Sequence, residues 1–225
     1  MKQKVFSIAI DGPAGAGKST VAREVAREMD ALYLDTGAMY RTVGLYMQKN
    51  GISGSERIAQ AVDRPEIQVR FIKGEQHMLL DGVDVTDQIR TPEASMMASR
   101  VSSVAAVRER MVSLQREIAG EHSVVMDGRD IGTCVLPNAT LKVYLTASCE
   151  VRAQRRYQEL VAAGKDESYE KVLSEIVERD YNDAHRAASP MRQAEDAVRV
   201  DSSDMTAEQV VKTIVDMAHR KIGAA

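Results

Sequence analysis

Eight consecutive residues, Gly12-Pro13-Ala14-Gly15-Ala16-Gly17-Lys18-Ser19, fit the pattern G-x-x-x-x-G-K-[ST] at every position, and Thr20 follows them. Glycines let the backbone curl until several amide N–H groups converge on one phosphate, and a following helix adds the positive end of its dipole. Lys18 is then placed to neutralise β- and γ-phosphates, and the Ser19 hydroxyl to ligate Mg²⁺. The apolar run Val124-Val125-Met126 ends in Asp127, a second acid-bearing element that approaches Mg²⁺ directly or through water. Arginines complete the pattern. Arg41, Arg129, Arg179 and Arg186 fall where loops or helix starts meet the phosphates, and guanidinium groups pair with phosphate oxygens in bidentate fashion while staying charged. Together these residues can hold two phosphate-bearing molecules and move a phosphoryl group between them.

The elements that must carry these residues alternate between strand and helix. Val5 to Ile10 is a short apolar run that stops at the Gly-rich turn, and Val21, Ala22, Val25, Ala26 and Met29 then recur at helical spacing. Leu32-Tyr33-Leu34 reads as a strand, with Asp35-Thr36-Gly37 opening a helix whose inner side includes Met39, Tyr40, Val43 and Met47. Ser123 to Met126, Leu141 to Leu145 and Ala197 to Val200 read as further strands, and Val107, Met111, Leu114 and Ile118 mark a long helix. The stretch from Glu150 to Arg199 is densely charged and mainly helical, with a break at Ala163-Gly164. Thr206 and Gln209 form a capping box before a terminal helix built on Val210, Val211, Ile214, Val215 and Ala218. This alternation predicts an α/β fold, a parallel sheet wrapped by helices.

One segment breaks the alternation. Ile67, Val69 and Phe71 alternate with polar residues, Lys73-Gly74 makes a turn, Met78-Leu79-Leu80 follows, and Asp81-Gly82 precedes Val83, Val85 and Ile89. This predicts a small antiparallel meander over 65–90, inserted into a core of 1–64 and 91–225. Thr91-Pro92-Glu93 then supplies a capping residue, a proline at the first helical position and an early acid.

Composition limits the partners. The chain has 225 residues, enough for a single α/β domain, and 44% of them are apolar. Net charge is −3, aromatics are 4% and Trp is absent, so neither a general polyanion field nor a base-stacking platform for a nucleic acid polymer is expected. Cys134 and Cys149 lack metal or redox spacing and read as free thiols in a reducing compartment. Lys2 and Lys4 before Val5–Ile10 superficially suggest a signal peptide, but Asp11 ends the apolar run too soon. With no apolar run of membrane-spanning length, the expectation is a soluble cytoplasmic protein, by default a monomer. His77, His122, His185 and His219 have no metal-ligand spacing, and Tyr33, Tyr40 and Tyr144 read as core packing.

No guanine-specifying N/T-K-x-D is present, which argues against a small GTPase. Five segments resemble the bacterial cytidylate kinase family: Asp11-Gly12-Pro13 with the phosphate loop; Asp35-Thr36-Gly37-Ala38-Met39-Tyr40-Arg41; Ile89-Arg90-Thr91; Asp127-Gly128-Arg129-Asp130-Ile131-Gly132-Thr133; and Arg179-Asp180 through Asp183 to Arg186. The similarity runs from Ile8 to the final helix. The D-G-R-D-x-G-T segment and the insertion before Ile89 are more specific than the phosphate loop itself. The resemblance implies a three-layer P-loop kinase fold with a three-stranded inserted sheet, and transfer of a phosphoryl group from ATP to CMP, and to dCMP as well.

Carried over residue by residue, the resemblance implies that Thr36, Arg41 and Arg129 hold the acceptor phosphate. Ser99, Arg108 and Asp130 face cytosine with Arg186 nearby, while Arg179 and Asp183 serve the sugar and phosphate. Arg152, Arg155 and Arg156 lie on an expected lid over 152–168 and would close on the transferring group, Arg155 and Arg156 on the ATP side. The family pattern admits Gly as well as Ser at the position of Ser19, so ligation of Mg²⁺ by that hydroxyl is a separate expectation from the phosphate loop. The acceptor phosphate is already an anion near neutrality, so no general base is required. Two alternatives stay open at this point: the same enzyme acting on uridylate or adenylate, and a noncatalytic nucleotide-binding regulator on the same fold. A substrate panel separates the first, and acceptor-dependent ADP formation the second.

Overall fold

Apolar side chains that alternate between two opposite faces organise the central sheet of the computed structural model, which describes residues 5–223. Lys2 and Lys4 lie outside the described residues. In chain order the first elements are β1 (Ser7–Asp11), α1 (Lys18–Glu28), β2 (Leu32–Asp35), α2 (Thr36–Lys49) and α3 (Ser55–Ala61). They are followed by β3 (Ile67–Ile72), β4 (Glu75–Leu80), β5 (Val83–Asp84), α4 (Pro92–Val101) and α5 (Ala105–Glu121). The C-terminal half contains β6 (Val124–Gly128), β7 (Leu141–Thr146), α6 (Cys149–Ala162), α7 (Tyr169–His185), β8 (Val198–Asp201) and α8 (Ala207–Gly223).

The five-stranded sheet has the order β2-β6-β1-β7-β8, with every pairing parallel. Its inner strands β6, β1 and β7 are largely buried on both faces because both faces are covered, whereas the edge strand β8 buries only Val200. Ala9, Val124 and Met126 point into a core shared with α2, α4 and α5, whereas Ile8, Ile10 and Val125 point into a core shared with α1 and α8. The result is the three-layer α/β arrangement expected from the sequence. The second sheet is antiparallel, order β3-β4-β5, and shares the first of these cores through Ile67, Met78 and Leu80.

Local chemistry explains the boundaries. Thr91 accepts from the Ala94 N–H at 3.1 Å to start α4, and Thr206 and Gln209 exchange reciprocal hydrogen bonds of 2.9 and 3.3 Å before α8. The helical region after Thr91 is split, because the Ser102 and Ser103 hydroxyls donate to the Ser99 and Arg100 carbonyls and compete with the backbone ladder. The third strand of the meander is only two residues long. Asp84 turns the chain by accepting from both the N–H and the hydroxyl of Thr86, so Val85 and Ile89 are buried beyond the strand and not within it. Helix α3 was not expected, since its seven residues bury only Ile58 and Ala61 and give too few turns to register as a period. Among the described residues, no helix is long and apolar enough to cross a membrane.

Candidate active site

Parallel register brings the carboxyl ends of β1, β2 and β6 side by side, with Asp127 level with Asp35 on one neighbour and Ile10 on the other. Each of these strands ends in an acid or an Asp-Gly step: Asp11, Asp35 and Asp127-Gly128. Ligands of open α/β sheets bind outside these ends, where the order of strands reverses. Here a cleft of about 360 Å³ opens over them, lined from the phosphate loop by Gly15, Gly17, Lys18, Ser19 and Thr20. Gly12, Pro13 and Ala16 are buried and form the rear of the loop. A Cβ on Gly12 would sit 1.9 Å from the Leu145 carbonyl oxygen, so the loop can pass β7 only without a side chain at this position.

The loop is fastened from behind by the helices α6 and α7. Asp180 Oδ1 accepts the Ala14 N–H at 3.0 Å, and Arg152 Nη1 donates to the Ala14 carbonyl at 2.7 Å and to Asp180 Oδ2 at 2.6 Å. Arg152 is buried and also donates to the Ala147 carbonyl. It is therefore a strut beneath the phosphate loop, contrary to the expectation that it closes over the ligand. The Ala14 amide likewise faces Asp180, so the loop's phosphate donors come from other residues. Arg155 does line the cleft and donates to the Ser202 carbonyl at 2.7 Å, whereas Arg156 pairs with Glu159 at 3.0 Å and is not among the residues brought to the cleft.

Lys18 is buried and donates to the Pro13 carbonyl at 2.7 Å. Burial, with the positive charge of Arg129 next, holds its ammonium well below the ordinary lysine range. Asp127 Oδ2 accepts from Ser19 Oγ at 2.9 Å and Oδ1 from the Tyr33 hydroxyl at 2.8 Å. Burial and the neighbouring Asp35 push the Asp127 carboxyl up, and burial pushes the Tyr33 phenol up. Ser19 and Asp127 present hard oxygen atoms beside the phosphate loop, a donor set that suits Mg²⁺, which keeps several waters and takes its other ligands from phosphates. Among the described residues no cluster of three or more His, Cys, Asp or Glu side chains forms a metal cage.

Opposite the loop lies a group of guanidiniums. Arg41, Arg129 and Arg179 all line the cleft. Arg129 donates from Nε to Asp183 Oδ2 at 2.8 Å, while Arg179 takes part in no ion pair among the described residues. Burial and the charge of Arg129 lower the Arg179 pKa to about 10. Arg41 donates from Nη2 to Asp35 Oδ2 at 2.8 Å, and its Nε is buried without a hydrogen-bond partner among the described residues. This concentration of positive charge has one chemical use, the binding of an anion. Thr36, buried at the start of α2, donates its hydroxyl hydrogen to the Asp127 carbonyl at 2.7 Å. In this geometry it fixes the turn after β6 and has no hydrogen left for a phosphate.

The far end of the cleft is a buried carboxylate between two arginines. Asp130 accepts from Arg108 at Oδ2 and from Arg186 at Oδ1, the latter at 2.9 Å. Arg108 lies 5.8 Å from the Tyr40 ring centroid, and Ser95, Ser99 and Ser102 complete the wall. Each Asp130 oxygen keeps a lone pair for a further donor. Behind this group, Asp11 accepts the Ile131 and Gly132 N–H groups, both at 2.7 Å, and pins the π-helical turn Ile131–Val135 that follows Asp130.

The sequence reading missed Asp11, Tyr33, Asp35, Tyr40 and Asp180 as parts of the site. A strand-terminal acid beside a glycine was the available signal for Asp11 and Asp35. Asp180 lies four residues after Ile176 on the inward face of α7, but nothing in its spacing points to the phosphate loop.

A family model described as "Cytidylate kinase" matches residues 8–220. The chain is 48% identical over 221 residues to a cytidylate kinase of Caldicellulosiruptor bescii, covering 97% of this chain and 98% of that one. It is 52% identical over 209 residues to a cytidylate kinase of Desulforamulus reducens, covering 92% and 94%. Among solved structures, an uncharacterized protein from Eubacterium ventriosum shares the fold with a TM-score of 0.50 and 15% identity, covering 99% of this chain and 100% of that chain.

Proposed function

The chain belongs to the cytidylate kinase family and is a nucleoside monophosphate kinase, and on that premise we propose that its cleft carries out ATP-dependent phosphorylation of CMP and dCMP with the division of labour set out below. The observation that carries the assignment of residues is the polarity of the cleft. A phosphate loop stands at one end, a buried carboxylate between two arginines at the other, and three further arginines line the space between them.

ATP lies with its phosphates in the loop formed by Gly12 to Thr20. Lys18 leaves the Pro13 carbonyl and moves onto the β- and γ-phosphates, whose negative charge favours its ammonium form. Mg²⁺, held with the nucleotide by Ser19 and Asp127, supplies neutralisation of phosphate charge. Arg41, Arg129 and Arg179 hold the acceptor phosphate, and the buried unpartnered Nε of Arg41 supports that role. Phosphoryl transfer has a loose transition state, so aligning the two phosphates and stabilising charge is the main task of the protein. Cytosine presents an amino donor and a ring-nitrogen acceptor. Asp130 accepts from the first, and Arg108 or Ser99 donates to the second. Asp183 holds Arg129 while meeting the sugar, and Arg186 secures Asp130. The segment from 153 to 168, beyond the Arg152 strut and with Arg155 facing the cleft, serves as the lid that excludes water. The setting is cytoplasmic, and the ligands are small molecules.

The test is an ADP-release assay on the wild type and Lys18→Ala. Removing one transition-state charge contact should lower kcat by about 100-fold. Unchanged turnover in a folded variant would contradict the assignment of the ATP site.

A further inference from the structure

The inserted sheet touches the active site through one side chain. Gln76, the second residue of β4, reaches the edge strand β2 and binds both backbone groups of Asp35. Its Oε1 accepts the Asp35 N–H at 2.7 Å, and its Nε2 donates to the Asp35 carbonyl at 3.2 Å. Because β2 is the outermost strand of the parallel sheet, these groups have no neighbouring strand, and the primary amide satisfies them as a strand would. A primary amide offers one donor and one acceptor side by side, which matches the paired N–H and C=O of Asp35.

Asp35 is itself a relay. Its Oδ1 caps α2 by accepting the Ala38 N–H at 2.9 Å, and its Oδ2 holds Arg41 Nη2 at 2.8 Å. A Cβ on Gly37 would lie 3.1 Å from both Arg41 Nη1 and Asp35 Oδ1, so the guanidinium is folded tightly over the first turn of α2. Asp35 is the only carboxylate paired with Arg41 among the described residues. On its other flank Arg41 borders a cavity of about 120 Å³ that is also lined by Gln76, so the glutamine and the guanidinium share one space beside Asp35.

We propose that Gln76 is a positioning residue for the acceptor phosphate: by fixing the Asp35 backbone it sets the place of the Asp35 carboxylate and thereby of Arg41, so that the inserted sheet governs binding of the monophosphate. This rests on the reading of Arg41 as a ligand of that phosphate. The bottom-up logic is mechanical. Gln76 touches no reacting atom, but the Asp35 carboxylate cannot keep both the helix cap and Arg41 in place if the Asp35 peptide moves.

The experiment compares the wild type with Gln76→Leu, Gln76→Asn and the control Gln68→Leu, on the same sheet but outside the cleft. KM for CMP, KM for ATP, kcat, the melting temperature and the amide exchange rate of Asp35 are measured for each. Loss of two hydrogen bonds in a relay should raise KM for CMP about tenfold in Gln76→Leu. Gln76→Asn, one methylene too short, should behave like Gln76→Leu, and the control like the wild type. KM for ATP and the melting temperature should hold in all four, while the Asp35 amide exchanges faster in both Gln76 variants. Unchanged KM for CMP overturns the proposal, as does an equal rise in both KM values accompanied by a fall in melting temperature. An Asp35 amide that exchanges at the wild-type rate in Gln76→Leu overturns it whatever the activity. A wild type inactive on CMP, with its Asp35 amide protected by Gln76, indicts the acceptor assignment instead and leaves the strut standing.

Discussion

Asp180 Oδ1 lies 3.0 Å from the Ala14 amide nitrogen, so the phosphate loop is tied to a carboxylate on a helix that follows it by most of the chain length. The same carboxylate holds Arg152, whose side chain is 4% exposed and which also donates to the Ala14 and Ala147 carbonyls and to Cys149 Sγ. Asp180→Ala removes the acceptor for the loop amide and leaves a buried guanidinium without its counter-charge. Breaking such a pair costs about 3 kcal/mol. The melting temperature should fall, and KM for ATP should rise by more than KM for CMP. Equal rises would show that the strut supports the fold as a whole and not the loop.

Asp130 bears on substrate choice. Uracil places a carbonyl where cytosine has an amino group, and a buried carboxylate meeting a carbonyl sets acceptor against acceptor. A mismatch of this kind costs several kcal/mol in a desolvated site. Asp130→Asn should lower kcat/KM for CMP by about 100-fold, because one side of the new amide also meets an arginine, and should narrow the preference over UMP. Kinetics with both nucleotides on both proteins check this. Equal proportional losses would make Asp130 a support for Arg108 and Arg186 alone.

Asp11 predicts a pH dependence. Burial raises its carboxyl from 3.8 to about 6, against the lowering effect of the Gly132 and Ile131 N–H groups. The native state therefore keeps a proton that the unfolded chain has already released. The stability contributed by this group is present at low pH, falls as pH rises from about 4 to about 6, and is level above that. A carbon NMR titration of the Asp11 carboxyl should show a midpoint near 6, as the burial implies. A midpoint near the ordinary value of 3.8 would contradict the account.

The residues that were legible in the sequence are those whose chemistry is local. The phosphate-loop motif is eight consecutive residues, the strands are continuous apolar runs, and the capping pair Thr206 and Gln209 is three residues apart; all of them hold in the structure. The meander was visible for the same reason. What the sequence concealed depends on partners distant along the chain. Tyr33 reads as core packing, and it is buried, yet its hydroxyl reaches Asp127 across a parallel strand pair. Arg152 and Arg156 are four residues apart on one charged helix, and only tertiary packing buries the first and leaves the second at the surface. The resemblance implies Thr36 at the acceptor phosphate, but its hydroxyl donates to the Asp127 carbonyl on the adjacent strand, a partner 91 residues away that no local pattern reveals.

The central claim, phosphoryl transfer from ATP to CMP in this cleft, is tested most directly by ADP formation from ATP and Mg²⁺ with CMP, dCMP, UMP, AMP or no acceptor. The account predicts rapid ADP release with CMP, accompanied by stoichiometric CDP. It predicts turnover with dCMP, and for UMP and AMP rates lower by about 100-fold or more, from the mispaired base edge. With no acceptor, ADP formation should stay near background because Arg41, Arg129 and Arg179 then have no second phosphate to align. ADP release that is independent of CMP, or equal for CMP and UMP, would contradict it.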